Sequence, residues 1–292
     1  YPNCQIDFLL RKVIYGLLEQ HPFINEVLIW DKKNKKYAHL LAILKKVRNT
    51  QYDGVINLQR FLSTGIITAF SGAQHKIGFK KNPFSFTFTK SAIHKIGDGT
   101  HEIERNQQLI IHLTDNVALP PKLYPSGKDA SEVKKYQQNN YVCMAPTSVW
   151  FTKQLPPKKW VELINKIKEN TTIYLLGGPD DFEQCEAIKS LIKNKEVINL
   201  SGKLSFLQSA ALMQKAQMNY VNDSAPLHIA SAMNAPSTAF FCSTVPSFGF
   251  GPLSENQRVV ETQQELTCRP CGLHGKKKCP ETHFDCGYQI EV

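Results

Sequence analysis

The 292-residue chain predicts an α/β protein made of two doubly wound units with parallel sheets and a cleft between them. Three observations carry that prediction. Short apolar runs of strand length alternate with stretches of helical length, first over 5–69 and again over 141–242. Such alternation implies parallel strands joined by right-handed crossovers. Between the two series the composition changes, and 292 residues with 42% hydrophobic content are enough to fill two cores. The expected division is a first domain over 1–120, a linker over 121–140 and a second domain over 141–292.

In the first series, Gln5 to Leu10 reads as a strand and Lys12 to Gln20 as a helix. Glu26 to Trp30 is a second strand, Ala38 to Val47 a second helix, and Gly54 to Leu58 a third strand followed by a helix of small residues. His75 to Phe79 is a further short strand with a basic exit at Lys80 and Lys81. Phe84 to Thr89 alternates strictly and predicts a half-exposed strand or hairpin. His101 to Asn106 opens a helix, either as a capped start with local ion pairs or as a ligand contact. A doubly wound sheet usually also has a first strand whose turn holds ligand, and that strand is expected upstream of Tyr1.

Pro120, Pro121 and Pro125, then Ser-Gly-Lys-Asp and a polar stretch ending in Gln-Gln-Asn-Asn, give 121–140 its linker character. The second series then runs in order. Its strands are Tyr141 to Ala145, Thr172 to Leu176, Val197 to Leu200, Met218 to Val221 and Ser237 to Cys242. Its helices are Pro157 to Ile167, Asp181 to Ile192, Phe206 to Ala216 and one opening near Pro226.

Lys and Arg total 35 against 25 Asp and Glu, a net of +10, which favours an anionic partner or else reflects solvated surface. No apolar run reaches the roughly 18 residues needed to span a bilayer as a helix. Cys4, Cys143, Cys185 and Cys242 lie among apolar neighbours, as small core residues of a reducing compartment do. The spacing of Cys268, Cys271, Cys279 and Cys286 predicts one local cluster: a structural zinc site, reduced thiols or two disulfides.

Candidate chemistry gathers in three loops at strand ends of the second domain. The turn Asn222-Asp223-Ser224-Ala225-Pro226 leads into a helix; Asp223 or Ser224 would cap it, and its free N–H groups make a seat for phosphate. His228 lies one helical turn beyond Ser224 and either reaches the same pocket or is a packing residue. Thr147, Ser148 and Thr152 offer hydroxyls, and Lys153 would neutralise a diphosphate. Gly177 and Gly178 permit close backbone approach, and Asp181 would accept ribose hydroxyls or cap its own helix. In the first domain, Gln59 and Arg60 follow the third strand, with Lys76 on the next one.

The order and spacing of these loops resemble the heptosyltransferases, glycosyltransferase family 9. The family's Pro-Gly-Ser-x-Trp-x-Thr-Lys-x-Trp-Pro element is matched by Pro146 to Pro156, its Gly-Gly-Pro loop by Gly177 to Asp181, and its Asn-Asp-Ser-Gly-Pro-x-His-x-Ala-Ala element by Asn222 to Ser231. The Cys-x-Pro-Cys tail is matched by Cys268, Pro270 and Cys271, then Cys279, Pro280 and Cys286. The match covers the second domain specifically and the first more loosely, and it departs at Thr147, Leu155 and Ala225, where glycine, tryptophan and glycine are usual.

The resemblance implies a GT-B fold of two Rossmann-like domains and an inverting, metal-independent transfer of heptose from ADP-heptose to an anionic lipopolysaccharide inner-core glycolipid. Lys153 and Asp223 would then be catalytic. Thr147, Ser148, Thr152, Gly177, Gly178, Asp181, Ser224, Ala225, Pro226 and His228 would bind the donor, and Gln59, Arg60 and Lys76 the acceptor. The general-base aspartate is expected upstream of Tyr1. No cofactor is expected for catalysis, zinc being a structural candidate only. The protein is expected in the cytoplasm, with peripheral contact at the inner face of the membrane and no nucleic acid bound. The alternatives are another nucleotide-sugar enzyme, a UDP-sugar transferase or epimerase, and a non-enzymatic nucleic-acid binder. The second lacks interleaved basic and aromatic residues on its strands.

Overall fold

The computed structural model describes residues 3–292 and divides the chain into two units, one ending at Leu119 and the other running Pro120–Val292. In the first unit, β1 (Asp7–Arg11) and β2 (Glu26–Trp30) form one parallel ladder. After α1 (Lys36–Thr50), the strands β3 (Gly54–Asn57), β4 (His75–Phe79) and β5 (Lys90–Ala92) form a second parallel ladder. Between β3 and β4 lies α2 (Leu62–Ala69), and α3 (Glu102–Gln107) follows β5. Leu28, Trp30, Leu40, Ile43, Val47 and Ile67 fill one core; Ile77, Phe79 and Leu109 form another. Among the described residues, β1 and β3 each have one edge without a ladder partner. A cavity of about 240 Å³ lies between them, lined by Asp7, Phe8, Leu9 and Gly54 to Leu58. The Tyr52 hydroxyl bonds to Asp7 across it.

Two expectations in this unit change. Lys12–Leu17 forms a 3-10 turn in place of the helix expected to Gln20. The alternating Phe84–Thr89 stretch is no strand: Ser85–Thr87 is a 3-10 turn. Local bonds explain it, because Phe84 N donates to Asn82 Oδ1 at 2.9 Å and Thr87 Oγ1 donates to Phe84 O at 2.8 Å. The 101–106 stretch resolves as a capped helix start. His101 accepts from Ile103 N and its own N–H donates to Glu104, while buried Arg105 pairs with Glu102 at 2.8 Å.

The second unit opens with α4 (Gly127–Val133), capped by Ser126, so 121–140 is no free linker. Val133 is wholly buried in the core with Ala210, Leu212 and Met213, which the polar residues around it conceal in the sequence. The unit continues through β6 (Tyr141–Ala145), α5 (Pro157–Lys166), β7 (Thr172–Leu175), α6 (Phe182–Ser190) and β8 (Val197–Asn199). Then come α7 (Phe206–Gln214), β9 (Asn219–Asn222), α8 (Ala225–Ala232), β10 (Ser237–Phe241) and two elements not expected, β11 (Gln257–Glu261) and α9 (Asp285–Tyr288). All six strands pair in one parallel sheet of order β11-β10-β9-β6-β7-β8. The chain winds from β6 out to β8 and then resumes on the other side of β6 with β9. That reversal opens a crevice outside the carboxyl ends of β6 and β9, where open sheets of this kind take ligands.

Candidate functional site

The switch between β6 and β9 brings together the 146–153 loop and the Asn222-Asp223-Ser224 turn. Asn222 joins them. It is fully buried; its amide donates to Pro146 O at 2.9 Å, and its carbonyl accepts from Leu155 N at 2.9 Å. With the loop held, Lys153 Nζ lies 2.7 Å from Asp223 Oδ2, and the Thr244 hydroxyl, just beyond β10, donates to the same oxygen at 2.6 Å. Asp223 is buried and Lys153 half-buried, so the pair is partly screened from water.

This pairing corrects the expected cap. Asp223 is engaged by Lys153 and Thr244, and Ser224 makes no side-chain cap to α8. The N-terminus of α8, with Ala225 and Pro226 in its first turn, thus presents its positive end uncapped beside a lysine. A helix N-terminus beside a lysine is an arrangement that can accept an anionic group. His228, in the next turn, is exposed and does not fill the core.

The remaining hydroxyls divide. Ser148 is half-buried in the loop and Thr147 is buried beside it. Thr152, expected at the donor, turns inward instead: Lys276 N donates to its oxygen at 2.8 Å and Ser243 Oγ donates at 2.9 Å. Gly177 and Gly178 leave β7, next to β6, at the same end of the sheet. A side chain on Gly177 would come 2.7 Å from Asp181 Cβ, so the close approach that needs glycine is to the chain itself. Asp181 accepts from Gly178 N at 2.7 Å and holds that turn.

In the first unit, Gln59 and Arg60 follow the carboxyl end of β3, and Asn82 ties Gln59 O to the exit of β4. Lys76 does not join them. It pairs in register with Val55, four residues before Gln59 on its strand, or roughly 13 Å away along the sheet. Lys80 and Lys81, beyond the end of β4, stand at the Gln59 end. The base expected upstream of Tyr1 lies outside the described residues.

The four tail cysteines are near one another, since Cys286 feels the other three thiols. They are free thiols, and among the described residues no group of three or more His, Cys, Asp or Glu is placed to hold a metal ion. The side chains serve other contacts: Cys271 Sγ faces Cys268 O at 3.2 Å, and Cys286 packs with Phe284 and Trp160 in the core. Asn222, Thr244 and Arg269 were not among the expected site residues. Thr244 had a usable signal, a hydroxyl at the carboxyl end of an apolar strand, like the loops that were recognised.

The profile described as glycosyltransferase family 9 (heptosyltransferase) matches residues 40–282. Lipopolysaccharide heptosyltransferase 3 of Escherichia coli is 28% identical over 272 residues, covering 88% of this chain and 79% of that one. In structure, E. coli ADP-heptose lps heptosyltransferase II superposes with a TM-score of 0.78 at 20% identity, over 93% of this chain and 87% of that one. A family 9 glycosyl transferase from Veillonella parvula gives 0.79 at 19% identity, over 88% and 77%. These likenesses show the GT-B fold.

Proposed function

Because the chain belongs to glycosyltransferase family 9, we propose that it moves heptose from ADP-heptose to the inner core of a lipopolysaccharide, with inversion and without a catalytic metal. One observation carries the reading: Lys153 and Asp223 meet at 2.7 Å beside the uncapped N-terminus of α8, at the switch of the sheet. A sugar nucleotide needs three things there: positive charge for its diphosphate, a carboxylate for sugar hydroxyls, and a crevice that fixes both. The names of the relatives support heptose as the sugar and lipopolysaccharide as the acceptor.

In the proposed reaction an acceptor hydroxyl attacks C1 of heptose from the face opposite the diphosphate. The new C–O bond forms as the bond from C1 to the phosphate oxygen breaks, and the hydroxyl proton passes to a base. Negative charge grows on the departing ADP. Lys153, drawn from Asp223 toward the phosphates, and the α8 amides stabilise it, doing what a divalent cation does elsewhere. The first unit, with Gln59, Arg60, Lys80 and Lys81, would receive the anionic acceptor. No helix among the described residues is long and apolar enough to cross a membrane. Peripheral contact with an anionic lipid surface belongs to the same reading, and the net charge of +10 supports it.

Calorimetric titration with ADP, GDP and UDP tests the nucleotide, and mass analysis of an acceptor incubated with ADP-heptose tests the sugar. ADP is expected to bind at least roughly ten-fold more tightly than UDP, about 1.4 kcal/mol. Preference for UDP would favour a UDP-sugar transferase or epimerase and overturn the reading.

A further inference from the structure

The segment after β11 grips both loops of the donor site. Arg269 Nε donates to Cys242 O at 2.7 Å, while Nη2 reaches Thr244 O at 2.8 Å, Phe241 O at 3.2 Å and Glu261 Oε2 at 2.6 Å. One largely buried guanidinium therefore fixes three carbonyls in the four-residue stretch leaving β10. Cys271 N adds a bond to Ser243 O at 2.9 Å. That stretch ends at Thr244, whose hydroxyl contacts the same Asp223 oxygen that Lys153 contacts.

The segment also reaches the lysine. Thr152 N donates to Lys276 O at 3.1 Å, and Lys276 N returns the bond to Thr152 Oγ1. Gly275, at a φ of +74°, lies flat against Lys153: a Cβ there would come 2.8 Å from Lys153 Cγ. The 269–276 segment thus holds both the stretch leaving β10, through Arg269 and Cys271, and the loop that carries Lys153, through Gly275 and Lys276.

We propose that Arg269 is a positioning residue for the donor site: by tying down the carbonyls of Phe241, Cys242 and Thr244 it sets the Thr244 hydroxyl against Asp223, and through Asp223 the resting place of Lys153. The inference rests on the donor-site reading above. Only a planar, many-donor group spans these acceptors from one point; an ammonium on a single stem does not. The simpler role, an Arg269–Glu261 ion pair that pins the tail to β11, makes no use of Thr244.

A double-mutant cycle separates the two, with ADP affinity and heptose transfer as readouts. Arg269→Ala and Thr244→Val are each expected to weaken ADP binding and transfer by roughly ten-fold, and the double variant no more than the worse single one, because both break one chain of contacts. Losses that multiply, or an Arg269→Ala variant with wild-type ADP affinity and transfer, overturn the proposal. Circular dichroism checks the fold of each variant. If Arg269→Ala does not fold, Arg269→Lys, which keeps the charge for Glu261, takes its place in the cycle with the same two outcomes. Lys153→Ala and Asp223→Ala are run beside them. If both keep wild-type ADP binding and transfer, the donor-site reading fails; if they lose it while the cycle is additive, only the role of Arg269 fails.

Discussion

Lys153 Nζ and Asp223 Oδ2 stand 2.7 Å apart, one from a loop after β6 and the other from the turn after β9, strands that are neighbours in the sheet but far apart along the chain. Each group is the other's counter-charge in the structure, and each is also what a bound sugar diphosphate would call for. A ligand that takes Lys153 must leave Asp223 to Thr244 and to its own hydroxyls.

Lys153→Ala is expected to lower kcat by about 10²–10³ while raising the donor KM much less, since the lysine acts most on charge that builds as ADP leaves. Asp223→Ala is expected to weaken donor binding and turnover together. Steady-state kinetics with ADP-heptose check both, and wild-type transfer by both variants would remove the assignment.

Asn222→Ala is expected to destabilise the second unit by about 1–3 kcal/mol, because it strands Leu155 N and the Pro146 carbonyl without their buried partner. Urea unfolding, read as a shifted midpoint at constant slope, measures this. A change within about 0.5 kcal/mol, the size of a surface substitution, would contradict the bracing role.

Binding to vesicles of anionic lipid is expected to fall as salt rises from about 0.05 to 0.15 M, because exposed charge is screened within about 10 Å at such ionic strengths. Arg60→Ala combined with Lys80→Ala should weaken it further. Sedimentation of protein with vesicles gives the measurement, and salt-independent binding would argue against a charge-led contact.

Burial pushes the Cys286 thiol up to about 12 and raises Cys271 as well. At neutral pH, Cys286 should therefore react with iodoacetamide more slowly than the thiol of free cysteine, since only the thiolate attacks. The sign for stability follows from a folded pKa above the unfolded value near 9: both states are neutral below about pH 9, and above it the unfolded chain ionises first. The stabilisation from this thiol is thus full below pH 9 and is lost as pH climbs toward 12. Thermal midpoints at pH 8 and pH 10.5, roughly, test the direction.

Much of the second unit was readable because its strands are buried on both faces, so Val142, Ile173 and Phe240 stand in unbroken apolar runs. The turn from β9 into α8 was readable because strand end, small residue and helix start follow one another directly. What escaped depends on contacts made far along the chain. Asp223 looks like a cap until Lys153 and Thr244 are brought to it; Thr152 looks available until Ser243 and Lys276 claim its hydroxyl. Phe84, Phe86 and Phe88 alternate as a strand does, yet Asn82 turns the chain with one side-chain oxygen. Val133 is a single apolar residue whose burial no periodicity announces.

The seat of Gly275 bears on how much change the tail can absorb. Its backbone sits at a φ of +74°, and a Cβ there would meet the Lys153 stem at 2.8 Å, so only glycine fits without moving the lysine. Most exposed positions of the tail face water, where a new methyl group meets nothing. Gly275→Ala must instead strain its own backbone or displace Lys153, so a change of one carbon in a surface loop is felt at the charged pair.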